Sequence, residues 1–203
     1  MKWVLVNYNY TPKWLVDYKP KDFLIYDRSD TYEWLKMFPR ECVINTKNVG
    51  NADYDRLTYL IDNYDDLPDV FLLSKSNLLN FITKEEFDKV KDNKVFTPLL
   101  TQDHKVYEPV CRYVNGMFEE LNNSWYAPQF ESKFKTYYDW AEYMGLPTPA
   151  YLQFAPGGNY ILTPKEVHKW PKGFYIKMRD TLEHTKLPAE AHYVERSLLT
   201  LWQ

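Results

Sequence analysis

The chain has no excess of positive charge, very little cysteine and no long apolar run, and each absence removes a class of function. Its 25 Lys and Arg stand against 28 Asp and Glu, for a formal net charge of −3 over 203 residues. No global positive field would hold a polyanion, so nucleic acid is not expected as a partner. Two cysteines, Cys42 and Cys111, make no disulfide framework, and the expected setting is a reducing compartment, the cytoplasm. No stretch approaches the roughly 18 apolar residues of a membrane span. The start, Met1-Lys2-Trp3-Val4-Leu5-Val6-Asn7, is too short for a signal-peptide apolar region and reads as a strand that begins at once. There is no Ser-His-Asp signature, Walker loop or Gly-x-Gly-x-x-Gly run. His104, His168 and His184 have no partners at ligand spacing, so no zinc motif exists.

What remains is ordinary globular material, 45% hydrophobic and 26% charged, with an unusual 18% of aromatic residues. Those rings are either core and surface filling or, in part, platforms on which sugars or bases stack. Four short apolar runs read as strands: Trp3–Asn7, Phe23–Asp27, Cys42–Asn45 and Asp69–Leu73. Continuous runs of this length suit strands buried on both faces, as in a parallel sheet. Cys42 is expected there as a buried strand thiol. Between the runs, Thr31–Met37, Asp53–Tyr64 and Asn77–Val90 have helical spacing, and Thr83-Lys84-Glu85-Glu86 resembles a capping box. This alternation predicts a doubly wound α/β domain.

Lys94 to Pro128 reads as long connections with short strands or helices, punctuated by Pro98, Pro109, Pro128 and Asn122-Asn123-Ser124. Order then returns. A helix is expected over Tyr137–Met144, ended by Gly145. A turn at Ala155-Pro156-Gly157-Gly158 leads into a strand, Asn159–Leu162. Helices follow over Pro164–Trp170, capped by Thr163 with proline in the favoured first position, over Phe174–Glu183 and over Pro188–Trp202. The expectation is one domain, 1–203, with a nucleotide-binding half (1–92) and an acceptor-side half (93–203). Because it stops directly after a helix, the chain reads equally as a module of something longer.

Two blocks carry a resemblance. Asn48-Val49-Gly50, then Tyr59-Leu60-Ile61-Asp62-Asn63-Tyr64-Asp65, then Leu67-Pro68-Asp69 and a strand, resembles a family of unknown function from microbes, fungi and large DNA viruses. That family's pattern runs Asn-Val-Gly-Arg-Glu, Tyr-Leu, Asn-Tyr-Asp, Leu-Pro-Asp. Phe154 to Tyr160, Pro171, Phe174-Tyr175 and His192-Tyr193-Val194-Glu195-Arg196 are similar to its C-terminal pattern. The Glu-Arg helix also resembles one in glycosyltransferases that build capsules and glycans. The resemblance implies a GT-A-like, Rossmann-like fold: a central, mostly parallel sheet flanked by helices, with a nucleotide-sugar site at the carboxyl ends of its strands. A viral source would place the protein in host cytoplasm.

The implied activity is transfer of a sugar from a nucleotide-sugar donor, a UDP-sugar first, to a glycan or glycoprotein acceptor. Residues expected at the donor are Asn7, Tyr8 and Asn9 after the first strand, Asp27 after the second, Asn48 and Gly50 in the hallmark turn, and Lys75 and Asn77 after the fourth. Glu195 is the expected acceptor-side base, with Glu190 a weaker choice. Gly157, Gly158, His192 and Arg196 are accessory. For Asn48 and Gly50 the competing reading is a plain tight turn, for His192 helix packing, and for Glu195 with Arg196 a structural ion pair. Asp65 and Asp66 read as surface acids.

The chain departs from the pattern in two places. Asn51 and Ala52 replace the hallmark Arg-Glu, although Asp53 follows. Where such transferases place an Asp-x-Asp pair for Mn or Mg, this chain has Ser74-Lys75-Ser76-Asn77, a poor set for a hard cation. Either a divalent cation, Mn or Mg, is bound mainly by the substrate with help from elsewhere in the chain, or Lys75 neutralises the phosphates instead. No covalent cofactor is expected. The departures keep two alternatives open: a catalytically silent nucleotide- or sugar-binding module, and a structural interaction domain of a larger assembly.

Overall fold

Successive side chains of a strand face opposite ways, so an unbroken apolar run must be covered on both sides. The strand Lys2–Asn7 (β1) obeys this, with Val4 and Val6 in one core and Trp3 and Leu5 in the other. A computed structural model of the chain describes residues 1–100, 110–114, 117–120, 130–148 and 151–203. After β1 come α1 (Lys13–Tyr18), β2 (Phe23–Asp27), two 3-10 turns (Tyr32–Leu35 and Arg40–Cys42), β3 (Val43–Asn45), α2 (Asn51–Asp62) and β4 (Phe71–Lys75). A third 3-10 turn (Leu78–Asn80), α3 (Lys84–Val90) and β5 (Thr97–Pro98) follow. The chain continues through β6 (Val110–Val114), β7 (Met117–Glu120), α4 (Tyr137–Met144), β8 (Tyr151–Gln153) and β9 (Tyr160–Leu162). It ends with α5 (Pro164–Val167), α6 (Lys172–Asp180) and α7 (Ala189–Trp202).

The main sheet has the order β3-β2-β1-β4-β9-β5. Strands β1 to β4 are parallel, and β9 is antiparallel to both β4 and β5. The fold is therefore α/β, with a mixed, mostly parallel sheet flanked by helices. Strand order reverses at β1, so the carboxyl ends of β1 and β4 form a topological switch point. Strands β7, β6 and β8 make a separate antiparallel sheet.

Helices α1 and α3 cover one face of the main sheet, and α2, α4, α6 and α7 the other. Aromatic rings fill both cores. Trp3, Trp14, Tyr18 and Phe87 form one cluster with ring centroids 5.4 to 6.1 Å apart. Tyr137, Trp140 and Tyr193 form another on the opposite face. Among the described residues, most aromatic rings are thus packed in or against the two cores.

Several boundaries differ from expectation. The expected strand Asp69–Leu73 lies two residues later, because β4 takes its register from β1, with Lys2 opposite Phe71 and Val6 opposite Lys75. Lys75 therefore ends the strand instead of following it. Cys42 is not a buried strand thiol. It closes a 3-10 turn, donating its N–H to Pro39 at 3.0 Å, and is a half-buried free cysteine. The expected helix Thr31–Met37 is a 3-10 turn only, with Pro39 close behind. The stretch Asn77–Val90 splits in two, because the capping box of Thr83 and Glu86 starts α3 rather than lying within a helix. The helix expected over Asp53–Tyr64 starts at Asn51, after left-handed Gly50, and ends at Asp62. The helix expected over Pro164–Trp170 is a single turn, and that over Phe174–Glu183 starts two residues earlier and ends at Asp180, where Thr181 Oγ1 donates to Met178 O. The final expected strand runs antiparallel, so the sheet is not wholly parallel. His104, Pro109, Asn122-Asn123-Ser124 and Pro128 lie outside the described residues.

The helix end at Gly145 and the turn before β9 give a paired test. Gly145 and Gly158 both have positive φ, 73° and 63°, but a Cβ on Gly145 meets nothing within 4 Å while one on Gly158 would lie 2.8 Å from Arg56 Nη1. Gly145→Ala should cost only backbone strain, about 1–2 kcal/mol. Gly158→Ala should cost clearly more in urea denaturation, since it adds a clash with a buried guanidinium to the same strain.

Candidate functional site

The carboxyl ends of three strands are tied together by one buried amide. Asn7, the last residue of β1, donates from Nδ2 to Asp27 Oδ1 at 3.0 Å and to Ser29 Oγ at 3.3 Å, and its Oδ1 accepts from Ser76 Oγ. Asp27 also accepts from the backbone N–H and the hydroxyl of Ser29. Asn7 and Asp27 are 1% and 4% exposed. They are the floor of the site, and their polar atoms are spent on fixing β1 against the chain leaving β2 and β4.

Above this floor a cleft of about 240 Å³ opens at the switch point. Tyr8, Asn9 and Tyr10 line it from the end of β1, and Lys75, Ser76 and Asn77 from the end of β4. Arg28, directly after β2, and Asn51 and Ala52, in the first turn of α2, complete the wall. Tyr8 is 46% exposed, which leaves a ring face available to a ligand. Arg28 lies 5.7 Å from that ring and donates from Nη2 to Asn51 Oδ1 at 2.9 Å. Asn9 and Asn51 both adopt left-handed backbone, with φ of 49° and 54°. Asparagine tolerates this conformation better than most residues, and strain of this kind gathers at binding sites.

The charge on this wall is of one sign. Arg28 and Lys75 are cations, and none of the described lining residues is a carboxylate. The first turn of α2 adds the positive end of a helix dipole. At the end of β4, where a divalent metal would need carboxylates, stand Lys75, Ser76 and Asn77. An ammonium and neutral groups do not fit a hard cation; they suit an anion.

Behind the cleft the charges are paired. Lys75 Nζ lies 3.1 Å from Glu195 Oε2 on α7 and 5.4 Å from the ring of Phe81, while its backbone N–H donates to Asn159 Oδ1 at 2.8 Å. Burial alone would raise the Glu195 carboxyl, but Lys75, then Arg196 and Arg56, outweigh it and hold it at about 2. Asp53 and Arg56, one turn apart on α2 and each 1% exposed, form a salt bridge, and Arg56 also donates to Gly157 O. Burial pushes the Asp53 carboxyl upward against the pull of Arg56. Burial likewise raises Asp55 to about 6, opposed by the charge of Arg28.

Of the expected donor residues, the fold brings Tyr8, Asn9, Lys75 and Asn77 into one cleft and sets Asn7 and Asp27 beneath it. Asn48 and Gly50 do not line it. Gly50 caps α2, donates its N–H to Thr185 O and packs on Leu182, as the tight-turn reading has it. Glu195 sits behind Lys75. Gly157 and Gly158 enclose the Arg56 guanidinium. Arg196 lies 4.8 Å over the ring of Phe154. His192, its pKa lowered to about 4 by burial and then by Arg196, packs 5.0 Å from Phe130. Glu190 is buried and accepts from Ser132 Oγ and the Lys133 N–H. Asp65 and Asp66 are exposed. Of the other lining residues, Val6, Tyr10, Arg28, Asn51, Ala52 and Ser76 were not among the expected ones. Arg28 could have been found from its place directly after a strand at the switch point. Asn51 was hidden because it reads as a lost arginine rather than as a left-handed amide.

The buried Asp53–Arg56 pair gives a stability test. Arg56→Met strands a buried carboxylate and should lower unfolding free energy by about 3–5 kcal/mol. Adding Asp53→Leu should recover part of that loss, so the two substitutions will be non-additive in a denaturation cycle.

No curated protein and no solved structure matches the chain. A family model described as Protein of unknown function (DUF3431) matches residues 12–203, and the chain belongs to that family.

Proposed function

We propose that the chain is a GT-A-like transferase that moves a sugar from a nucleotide-sugar donor, a UDP-sugar first, to a glycan or glycoprotein acceptor. The observation that carries this reading is the switch-point cleft, walled by Arg28 and Lys75 and free of carboxylates among its described lining. Ligands of open α/β sheets bind at such a point, and a wall whose charged described residues are both cations favours an anion. The diphosphate lies against Lys75, Arg28 and the first turn of α2, and the Tyr8 face takes the base. As the bond from the sugar to the diphosphate breaks, negative charge grows on the leaving oxygen. Fixed cations at that place stabilise the transition state more than the ground state. Glu195 is the group assigned to take the acceptor hydroxyl proton.

One observation favours the silent nucleotide-binding module instead. Lys75 Nζ lies 3.1 Å from Glu195 Oε2 and holds that carboxyl below the usual carboxylate range, and a carboxylate so paired is a weak base at neutral pH.

Thermal unfolding with UDP, GDP and CMP separates the readings. At 100 times Kd a ligand adds about 2.7 kcal/mol, which for a chain of this size is a Tm rise of roughly 5–10 °C. That rise is expected with UDP and should survive EDTA, since Lys75 and Arg28 neutralise the diphosphate. In Lys75→Ala it should fall by about half or more, as a tenfold or greater loss of affinity implies. Binding without turnover of any UDP-sugar selects the silent module, and no response to any nucleotide removes both readings.

A further inference from the structure

Lys75 faces two environments at once. The residue lines the cleft, yet its ammonium lies 3.1 Å from Glu195 Oε2, and Glu195 is not part of the cleft wall. The two side chains are 21% and 13% exposed, so the pair is shielded more than a surface pair. An ammonium left alone in such a place is costly, and a partly buried carboxylate equally so. Each needs the other while the cleft is empty.

The exchange of that partner is already provided for. Arg196 Nη1 lies 3.9 Å from Glu195 Oε1, so Glu195 keeps a cation if Lys75 leaves. Lys75 is held by its backbone through Asn159, so its long side chain can swing while its anchor stays.

Resting on the nucleotide-binding reading above, we propose that Glu195 is an internal counter-ion displaced by the ligand: a phosphate entering the cleft takes the Lys75 ammonium, and the released Glu195 carboxylate becomes the proton acceptor for the acceptor hydroxyl. The pair keeps the empty cleft from holding stray anions, because any ligand must outcompete an internal carboxylate. It also orders the reaction. With Lys75 withdrawn, Glu195 loses the strongest of the cations that make it acidic, so base strength rises only after the donor is seated. The bonds then balance. The hydroxyl proton passes to a Glu195 carboxylate oxygen, the acceptor oxygen forms its bond to the sugar carbon, and the diphosphate leaves with the bonding pair, neutralised by Lys75.

Titration calorimetry with UDP and with inorganic pyrophosphate, on the wild type, Glu195→Gln, Lys75→Met and the double variant, tests this. Removing the internal competitor should tighten UDP binding about three- to tenfold in Glu195→Gln, while Lys75→Met should weaken it about tenfold or more. In the Lys75→Met background, Glu195→Gln should change nothing. A purely structural clip predicts the reverse for the first variant: a lowered Tm with unchanged or weaker binding. That result overturns the exchange, as does an effect of Glu195→Gln that persists without Lys75. Should Glu195→Gln fail to fold, Glu195→Asp retracts the carboxylate by one methylene and should shift affinity in the same direction by less; an unshifted or weakened affinity overturns the proposal. Pyrophosphate binding without UDP binding removes the nucleotide reading alone, and the exchange is then read on pyrophosphate with the same signs. Binding of neither probe to any variant overturns both.

Discussion

A guanidinium that is 1% exposed must find its acceptors inside the protein, and the arrangement around the cleft follows from where Arg56 finds them. One is the Asp53 carboxylate, a turn back on α2. The other is the carbonyl of Gly157, which comes from the far end of the chain. Holding both binds the first turn of α2 to the turn that precedes β9. Asn159, two residues beyond that carbonyl, then reaches the backbone of Lys75. The aim of the lysine at the mouth of the cleft is therefore set by a charge buried on a different element. No Cβ could be tolerated at Gly158 without disturbing this.

The site is layered by polarity. Its floor is a closed hydrogen-bonded set, made by the Asn7 amide, the Asp27 carboxylate and the hydroxyls of Ser29 and Ser76. The wall is cationic. The carboxylates that compensate it, Asp53, Asp55 and Glu195, are set behind the wall rather than in it. That separation lets the protein carry several buried charges without presenting a negative group to an incoming anion. On the proposed exchange it would also make the wall responsive, because a cation shared between a ligand and an internal acid changes the acid when the ligand binds.

Much of the frame could be read from the residues. Phe23–Asp27, Tyr137–Met144 with Gly145, and the start of the last helix were legible because each has a local cause: an apolar run, a left-handed stop, a proline before a helix. β4 was misplaced because its ends are fixed by its neighbour β1, not by its own hydropathy. The direction of β9 was invisible for the same reason, since three apolar residues carry no sign of which way they run. In the site, the switch-point rule led to Tyr8, Asn9, Lys75 and Asn77, which sit directly after strands or end one. The same rule covers Arg28, directly after β2, and it misled at Gly50, whose left-handed backbone serves a helix start. Burial, which a sequence does not display, decides that Asp53, Arg56 and Glu195 are a network rather than solvated surface.

The strand β9 also bears on how the molecule comes into being. It inserts between β4 and β5, so β4 lacks its second neighbour until residues near Ile161 have been made. Contacts of such long sequence separation form slowly, because loop entropy is lost before they reward it. During synthesis the four parallel strands emerge first, with the inner edge of β4 bare and apolar. An open edge of that kind can pair with another chain. The antiparallel strand that lies beside the site is thus also the piece that seals the nascent sheet, and the protein's vulnerable interval lasts from the exit of Lys75 to the arrival of Leu162.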